Sequence, residues 1–159
     1  MAITRTGHHG PRTIIAAALL LGSLALPSTA RAFPGGSVVI TDHEIDTSSP
    51  SFEKDLKKSQ KAAIVKQGAS WKIYFIAYLK KAAGATELNI VFRDVTGGKK
   101  DESPNAYPVG TQPSAKIIKS DVELTEEQNF KAGHKYDVRI TRLVNGKEDV
   151  YASTHVELK

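Results

Sequence analysis

Hydrophobic positions follow a period of two residues along most of this chain after Ser70, and the run SWKIYFIAYLKK opens that part. The odd positions of the run are all apolar: Trp71, Ile73, Phe75, Ala77 and Leu79. The even positions between its lysines are apolar or aromatic as well: Tyr74, Ile76 and Tyr78. A period of two is typical of a β-strand, and a strand with one solvated face alternates apolar with polar residues. We therefore predict a strand at residues 71–80 whose odd face lies in a core.

Shorter runs with the same alternation predict further strands. They lie at residues 38–40, 87–95, 107–109, 116–124, 134–143 and 147–158. Pro108 cannot donate a hydrogen bond to a neighbouring strand, so the 107–109 run indicates an edge strand. Thr125 and Gln128 have the spacing of a capping box, which predicts one helical turn. Strands joined by local turns favour an antiparallel Greek-key β-sandwich over alternating β and α units.

Residues 49–63 carry the helical pattern of the chain. Ser49 is a suitable N-cap, and Pro50 fits the first helical position, where its missing N–H is not needed. A narrow apolar stripe that includes Leu56 runs along an otherwise charged surface. Such a helix is weak alone and needs a surface to dock on.

The even face of the 71–80 strand has two interpretations. The first is that the 49–63 helix docks on Tyr74, Ile76 and Tyr78, since the helix needs a surface and the strand needs a cover. The second is that these three residues form an exposed binding surface, because contiguous exposed aromatic residues commonly mark interaction sites. We favour the first and retain the second as the candidate binding site.

The last two predicted strands meet at Asn145-Gly146, a dipeptide typical of two-residue turns. Such a turn would pair even with odd positions, whereas the apolar residues of both strands are even-numbered, as Ile140 and Val150 illustrate. A slip of one residue would turn one of the two sets away from the core. We therefore predict a three-residue loop at residues 144–146, with Gly146 at positive φ and Ile140 opposite Val150.

The segment FKAGHKYDVRI precedes this hairpin. Phe130 lies six positions before Tyr136, which opens an alternating apolar run through Val138 and Ile140. This spacing resembles the tyrosine-corner pattern of fibronectin type III and immunoglobulin-like sandwiches. The resemblance implies a Greek-key sandwich whose penultimate strand starts at Tyr136, with the tyrosine hydroxyl bonded to nearby backbone. It concerns the fold alone, since such folds carry many unrelated functions.

Residues 1–32 have the features of a cleavable signal peptide. Two arginines precede an apolar run at residues 13–26, and Ala30-Arg31-Ala32 fits the small-x-small cleavage pattern. The run is shorter than the ~20 residues of a membrane-spanning helix. We expect cleavage after Ala32 and a periplasmic or secreted product that does not span the membrane. Its single domain, residues 33–159, would comprise an N-terminal part (33–69) with a strand, an acidic linker and the helix, and a β-sandwich (70–159).

Removal of this segment changes the charge balance. The full chain has 22 basic and 17 acidic residues, and three arginines lie in residues 1–32, which leaves 19 against 17, a net charge of +2. The high isoelectric point therefore gives no argument for nucleic acid as a partner. The chain has no cysteine, which excludes disulfides, thiol chemistry and cysteine-ligated zinc, so the domain depends on its core.

Acidic residues alternate at Asp42, Glu44 and Asp46, and Glu53 is the twelfth residue counted from Asp42. This spacing is similar to that of calcium-binding loops, which place ligands at the first, third, fifth and twelfth positions. Thr47 stands where such loops require glycine, and the preceding residues predict a strand rather than a helix. An acidic segment that discourages pairing between sheets explains the pattern better.

Other chemistry finds little support in the sequence. His43, His134 and His155 match no metal-binding spacing, and we expect them to face solvent. No nucleophile elbow, phosphate-binding loop or dinucleotide fingerprint is present.

We expect an exported, non-catalytic binding or structural module of the bacterial cell envelope or secretome. It would need no cofactor and would contact an envelope protein or a polysaccharide rather than nucleic acid. The alternative is a calcium- or other metal-dependent protein, or a small hydrolase, that uses the acidic segment from Asp42 to Glu53.

Overall fold

Strands dominate the described part of the chain, which in this computed structural model comprises residues 33–98 and 103–159. The predicted signal peptide at residues 1–32 lies outside the described residues. The α-helix α1 spans Phe52–Ser59, and 3₁₀ helices occupy Thr96–Gly98 and Glu126–Gln128. The strands are β1 (Ser37–Thr41), β2 (Ala63–Ile64), β3 (Ser70–Tyr78), β4 (Glu87–Asp94), β5 (Asn105–Gly110), β6 (Ile117–Thr125), β7 (Lys135–Val144) and β8 (Lys147–Leu158).

The predicted strands are all present, and β2 is an addition that the alternation did not indicate. The predicted helical turn is also present, and Thr125 and Gln128 close a capping box around it. β5, which contains Pro108, lies at the edge of the sheet as predicted.

The helix is shorter than the predicted 49–63 segment. Its N-cap is Ser51 rather than Ser49, and Pro50 precedes it. It ends at Gln60 because the next backbone N–H, that of Lys61, donates to the carbonyl of Ile40 in β1 at 2.8 Å. A hydrogen bond to β1 therefore takes the place of the backbone hydrogen bond that a longer helix would have formed at Lys61. Among the described residues, no helix has the length and apolar character to cross a membrane.

All strands belong to one sheet with the order β5-β4-β7-β8-β1-β3-β6, and β2 pairs with β8. Most pairs are antiparallel, but β8 pairs in parallel with both β1 and β2. The described sheet is therefore mainly antiparallel, with parallel pairing at β8. The sheet curves into a nearly closed, barrel-like shape.

One face of this curved sheet encloses the main core. The odd positions of β3 and Leu79, which follows the strand, are all buried there: Trp71, Ile73, Phe75, Ala77 and Leu79. This confirms the prediction for that face. The indole N–H of Trp71 donates to the backbone carbonyl of Lys159 at 2.9 Å, so its polar atom is satisfied inside the core. Both apolar clusters of the described residues lie between Phe33 and Leu158, so residues 33–159 contain a core of their own.

The β7–β8 hairpin differs from its prediction. Val144 pairs with Lys147, which leaves a two-residue turn with Asn145 at φ 52° and Gly146 at φ 74°. This is the turn that the Asn-Gly dipeptide favours, and the predicted loop at residues 144–146 is wrong. The mismatch in phase is absorbed inside β8, where a β-bulge separates the two halves of the hairpin.

Tyr151 is the extra residue of this bulge, because Ile140 pairs with Ala152 and Thr141 pairs with Val150. Beyond the bulge, even positions of β7 and β8 face the core together, as predicted, although Ile140 lies opposite Ala152 rather than Val150. The carbonyl of Tyr151 accepts the backbone N–H of Lys80 at 3.0 Å. The bulge thus joins the hairpin to the β3–β4 loop.

The start of β7 is fixed by a hydrogen bond between a side chain and the backbone. The backbone N–H of Lys131 donates to the hydroxyl of Tyr136 at 2.9 Å, and the ring of Phe130 packs 5.2 Å from that of Tyr136. A bond of this kind is what the tyrosine-corner resemblance implies at this position.

Candidate functional site

The outer face of β3 is covered along half of its length. Leu56, the buried residue of α1, belongs to a second apolar cluster with Ile76 and Tyr78. Phe33 stacks on the Tyr78 ring with a centroid distance of 5.4 Å. The helix that the sequence analysis favoured as a cover therefore lies over this face, and Ile76 and Tyr78 are buried.

Tyr74 lies beyond the helix and remains half-exposed. After β1 the chain turns back so that Ile45 joins the second cluster, and this leaves a groove between residues 41–45, β3 and β6. The groove encloses about 170 Å³. Its apolar wall consists of Ile45, Tyr74 and Ile76, and Phe75, whose side chain lies in the main core, borders it. Its polar residues are Thr41, Glu44, Lys72, Lys119, Ser120 and Asp121. Of the three residues in the candidate binding site, Tyr74 and Ile76 thus line an open groove, whereas Tyr78 does not.

Charged side chains frame the groove on both sides. The Lys119 ammonium donates to Glu44 at 2.8 Å and joins the 41–45 segment to β6. This hydrogen bond and the lysine charge hold the pKa of Glu44 below its ordinary value. The Lys72 ammonium lies 5.1 Å from the centroid of the Tyr74 ring, a cation–π distance. Its hydrogen bond with Tyr74, followed by the nearby negative charges, raises the pKa of Lys72.

The size of the groove limits what can enter it. Sites for whole small molecules enclose roughly 300–1,000 Å³, and this groove encloses about 170 Å³. It therefore fits one side chain or one edge of a sugar ring. An aromatic ring, an aliphatic wall and charges of both signs would hold such a group by stacking and hydrogen bonds.

One wall of the groove is an edge of the sheet. β6 pairs with β3 along nine residues, from Ser70↔Thr125 to Tyr78↔Ile117, and no described strand pairs with its other side. A regular edge strand presents unpaired backbone N–H and C=O groups to which an extended peptide can add. Lys119 and Asp121 project beside this edge on the same face as Tyr74.

The acidic segment does not gather its carboxylates. Asp42 lies 2.7 Å from His43 and 3.2 Å from Lys61, whereas Glu44 pairs with Lys119 and Asp46 accepts bonds from Ser48. Burial raises the pKa of Asp42, but its hydrogen bonds with His43 and Lys61 outweigh that effect and lower it overall. Within residues 33–98 and 103–159, no group of three or more acidic or histidine side chains is placed to hold a metal ion, and this includes Glu53.

The histidines occupy different surroundings. His43 and His155 are exposed, as expected. His134 is only partly exposed, and its Nδ1 lies 2.6 Å from the Asp94 carboxylate at the ends of β4 and β7. Burial raises the pKa of Asp94, but hydrogen bonds from Thr96 and His134 outweigh it and hold that pKa below its ordinary value. His134 therefore faces solvent only in part, because it is paired with Asp94.

The polar half of the groove was not predicted from the sequence. Lys72 is an even position of β3, and Lys119 and Asp121 lie two residues apart in β6. This spacing of two could have predicted that each pair of residues shares one face of its strand. The pairing of Glu44 with Lys119 spans 75 positions and depends on the order of strands in the sheet. No local pattern carries that information.

No protein-family model matches the chain, and no curated protein gives a significant match.

Proposed function

We propose that this chain is exported, that residues 1–32 are removed as a signal peptide, and that residues 33–159 act as a non-catalytic binding module of the bacterial cell envelope or secretome. The charged n-region, the short apolar run and the Ala30-Arg31-Ala32 motif support export to the periplasm or beyond. The absence of cysteine fits a domain that depends on its core rather than on disulfides.

We infer that the nearly closed sheet is an immunoglobulin-like Greek-key sandwich whose two halves remain joined at one pair of residues. β1 and β8 are joined by the single pair Ser37↔Ser153. If the sheet is divided at this pair, one half contains β1, β3 and β6, and the other contains β5, β4, β7 and β8. Immunoglobulin-like domains arrange their A, B and E strands and their C, F and G strands in this way. The hydrogen bond to the Tyr136 hydroxyl at the start of the penultimate strand supports the same class.

The groove beside the edge strand β6 is the observation that carries the binding role. We assign it to an extended segment of another envelope protein, which would pair with β6 and place one side chain beside Tyr74. Backbone pairing supplies affinity in such complexes, and the pocket for a side chain supplies specificity. A polysaccharide is the other expected ligand class, since a tyrosine ring and flanking charged groups also suit a sugar.

Capture from an envelope fraction with the immobilised 33–159 domain tests this function. Tyr74→Ser and Lys119→Ser should each reduce the captured partner, because both residues line the groove. Lys135→Ser is the matched control, since Lys135 is an exposed lysine on β7, outside the groove. Melting curves of all variants establish that they remain folded. Equal capture by the wild type and both groove variants would remove the groove from the interaction.

The identity of the captured ligand decides between its two classes. A protein band that is lost with both groove variants supports strand addition at β6. Retention of glycan alone, sensitive to the same substitutions, would instead favour the polysaccharide. The metal-dependent or hydrolytic alternative gains no support from the described contacts of Asp42, Glu44, Asp46 and Glu53.

A further inference from the structure

Three connections meet at one end of the barrel and form a continuous surface. They are residues 79–86, 111–117 and 142–149, and we call this surface the basic end. The backbone N–H of Gly84 donates to the carbonyl of Pro113 at 2.8 Å, and Arg142 donates to the carbonyl of Gly84 at 3.0 Å. These bonds hold the three connections together, so their side chains act as one surface.

Exposed aliphatic residues concentrate at the basic end. Among the described residues, four large hydrophobic side chains are exposed, and three of them lie here: Ile117 at 40%, Leu143 at 69% and Val144 at 41%. Leu143 and Val144 directly precede the Asn145-Gly146 turn, at the tip of the β7–β8 hairpin. The fourth, Val65 at 65%, lies at the opposite end, before β3. Aliphatic side chains at the tip of a projecting hairpin can enter an apolar phase without a pocket to receive them.

The charge of the basic end differs from that of the rest of the domain. It carries five basic side chains and two acidic ones, a net charge of +3. The basic residues are Lys80, Lys81, Lys116, Arg142 and Lys147. Both acids already have partners, since Asp149 pairs with Lys81 at 2.7 Å and Glu148 pairs with Arg93 at 3.0 Å. Lys80, Lys116 and Lys147 form no ion pair with any described residue.

The opposite end has the reverse balance. Residues 65–69, 94–98 and 126–134 carry two lysines and three acids, a net charge of −1. One of those lysines, Lys66, pairs with Glu126 at 2.7 Å. The net charge of the two ends is therefore opposite in sign, and Lys80, Lys116 and Lys147 lie at the same end as three of the four exposed aliphatic residues of the described chain.

The chain enters the domain at the basic end. The backbone N–H of Gly36 donates to the carbonyl of Tyr78 at 2.6 Å, next to the start of the 79–86 connection. The apolar run at residues 13–26 ends seven positions before Phe33. Seven residues reach at most about 25 Å. While that run is held in a membrane during export, the domain cannot move far from the bilayer, and the basic end is the side from which the connection leaves.

We propose that the basic end docks on the surface of a membrane that contains anionic lipids, with Leu143 and Val144 entering the interface and the three unpaired lysines contacting lipid headgroups. The charge of the surface complements anionic headgroups, and its aliphatic residues suit the boundary between headgroups and acyl chains. This inference rests on the proposed export of the chain but not on the groove at Tyr74.

Co-sedimentation of the 33–159 domain with vesicles tests the proposal. Wild-type protein should bind phosphatidylcholine vesicles that contain about 30% phosphatidylglycerol more tightly than pure phosphatidylcholine, because anionic lipid attracts basic residues. The binding should weaken as NaCl rises to about 0.5 M, where surface charges are screened. No preference for the anionic vesicles would overturn the proposal.

Matched substitutions locate the contact. The double variant Leu143→Ser/Val144→Ser should bind anionic vesicles about tenfold or more weakly, since it removes two inserted side chains. Val65→Ser makes the same chemical change at the opposite end and should leave binding unchanged. Lys116→Ser and Lys147→Ser should each weaken binding about fivefold, whereas Lys57→Ser on α1 should not.

The outcomes separate this surface from the groove. Tyr74→Ser should retain full vesicle binding even if it loses the partner protein. Equal weakening by Val65→Ser and by the Leu143→Ser/Val144→Ser variant would contradict a localised contact. If wild-type protein ignores both kinds of vesicle while the hairpin variant loses an envelope protein, the basic end is a protein interface and the lipid proposal is wrong.

Discussion

Replacement of Leu56 by alanine tests whether α1 is an integral cover of the sheet. Leu56 is fully buried and is the one buried residue of an eight-residue helix. A helix of this length has little stability of its own, so its position depends on packing. Removal of three buried carbon atoms costs about 2.4 kcal/mol of transfer free energy. The cavity left beside Ile76 and Tyr78 raises the expected loss to about 3 kcal/mol.

Urea unfolding followed by Trp71 fluorescence measures this loss. The chain has one tryptophan, and it lies in the main core rather than in the cluster around Leu56, so it reports unfolding of the whole domain. Lys57→Ala is the matched control on the same helix, since Lys57 is exposed and a surface change of this kind stays within about 0.5 kcal/mol.

A small effect would refute the assignment of α1 as a cover. If Leu56→Ala and Lys57→Ala unfold at free energies within about 0.5 kcal/mol of each other, the helix does not contribute to the folded domain. The outer face of β3 would then be available along its full length, and the alternative of a binding surface at all three even positions would be restored.

Three further predictions follow from the packing and the charges. Tyr78→Ser should destabilise the domain by about 3–5 kcal/mol because its ring is fully buried, whereas Tyr74→Ser should cost about 1 kcal/mol or less, as measured in urea. Asp94→Asn should be most destabilising at neutral pH, and its effect should shrink as the pH falls below about 4. The reason is that the pKa of Asp94 is lower in the folded state, so its contribution is present above its unfolded pKa and lost as the pH falls through its folded value; unfolding curves between pH 7 and 3 measure this, and a constant difference would contradict it. Addition of about 1 mM calcium should not move the melting temperature, because the acids of residues 42–46 are bonded to protein groups; a clear rise would restore the metal-dependent alternative.

The alternation of apolar residues predicted most of the sheet because burial on one face imposes the same period on every strand. It did not predict β2, a two-residue strand whose position depends on its parallel pairing with the end of β8. The helix stops at Ser59 although its apolar stripe continues, and the N–H of Lys61 donates to the carbonyl of Ile40 in β1 instead of to a helical carbonyl. Contacts between residues far apart in sequence determine both the position of β2 and the end of α1, and the local hydrophobic pattern does not predict such contacts.

The hairpin shows a different limit. The Asn-Gly turn and the even-numbered apolar residues do conflict in phase, but a bulge inside β8 resolves the conflict rather than a longer loop at the turn. Val150, Tyr151 and Ala152 form an unbroken apolar run within an otherwise alternating strand, and this is the signal that could have located the bulge.

The candidate site was predictable in part for a similar reason. Because both faces of β3 are apolar, the sequence indicated that its outer face is covered or binds a partner. The amphipathic pattern of residues 49–63 indicated the helix that covers it. The division of that face between Tyr74 and its two buried neighbours follows from the length and position of α1, which the sequence overestimated. The ion pair between Glu44 and Lys119 could be predicted only with knowledge of the order of the strands in the sheet.

The bulge also has a consequence for chain-length variation. Deletion of Tyr151 would make the two halves of the hairpin continuous and would keep the Asn-Gly turn, because Ile140↔Ala152 and Thr141↔Val150 would become successive pairs. Glu148 would still lie opposite Leu143, whereas the buried Tyr151 ring and the hydrogen bond from the Lys80 N–H to the Tyr151 carbonyl would be lost. Insertion or deletion of one residue in each strand next to the turn would leave the remaining cross-strand pairs and the two faces of the hairpin unchanged. The hairpin should therefore keep its register when one residue is lost at the bulge or when both strands change by one residue at the tip.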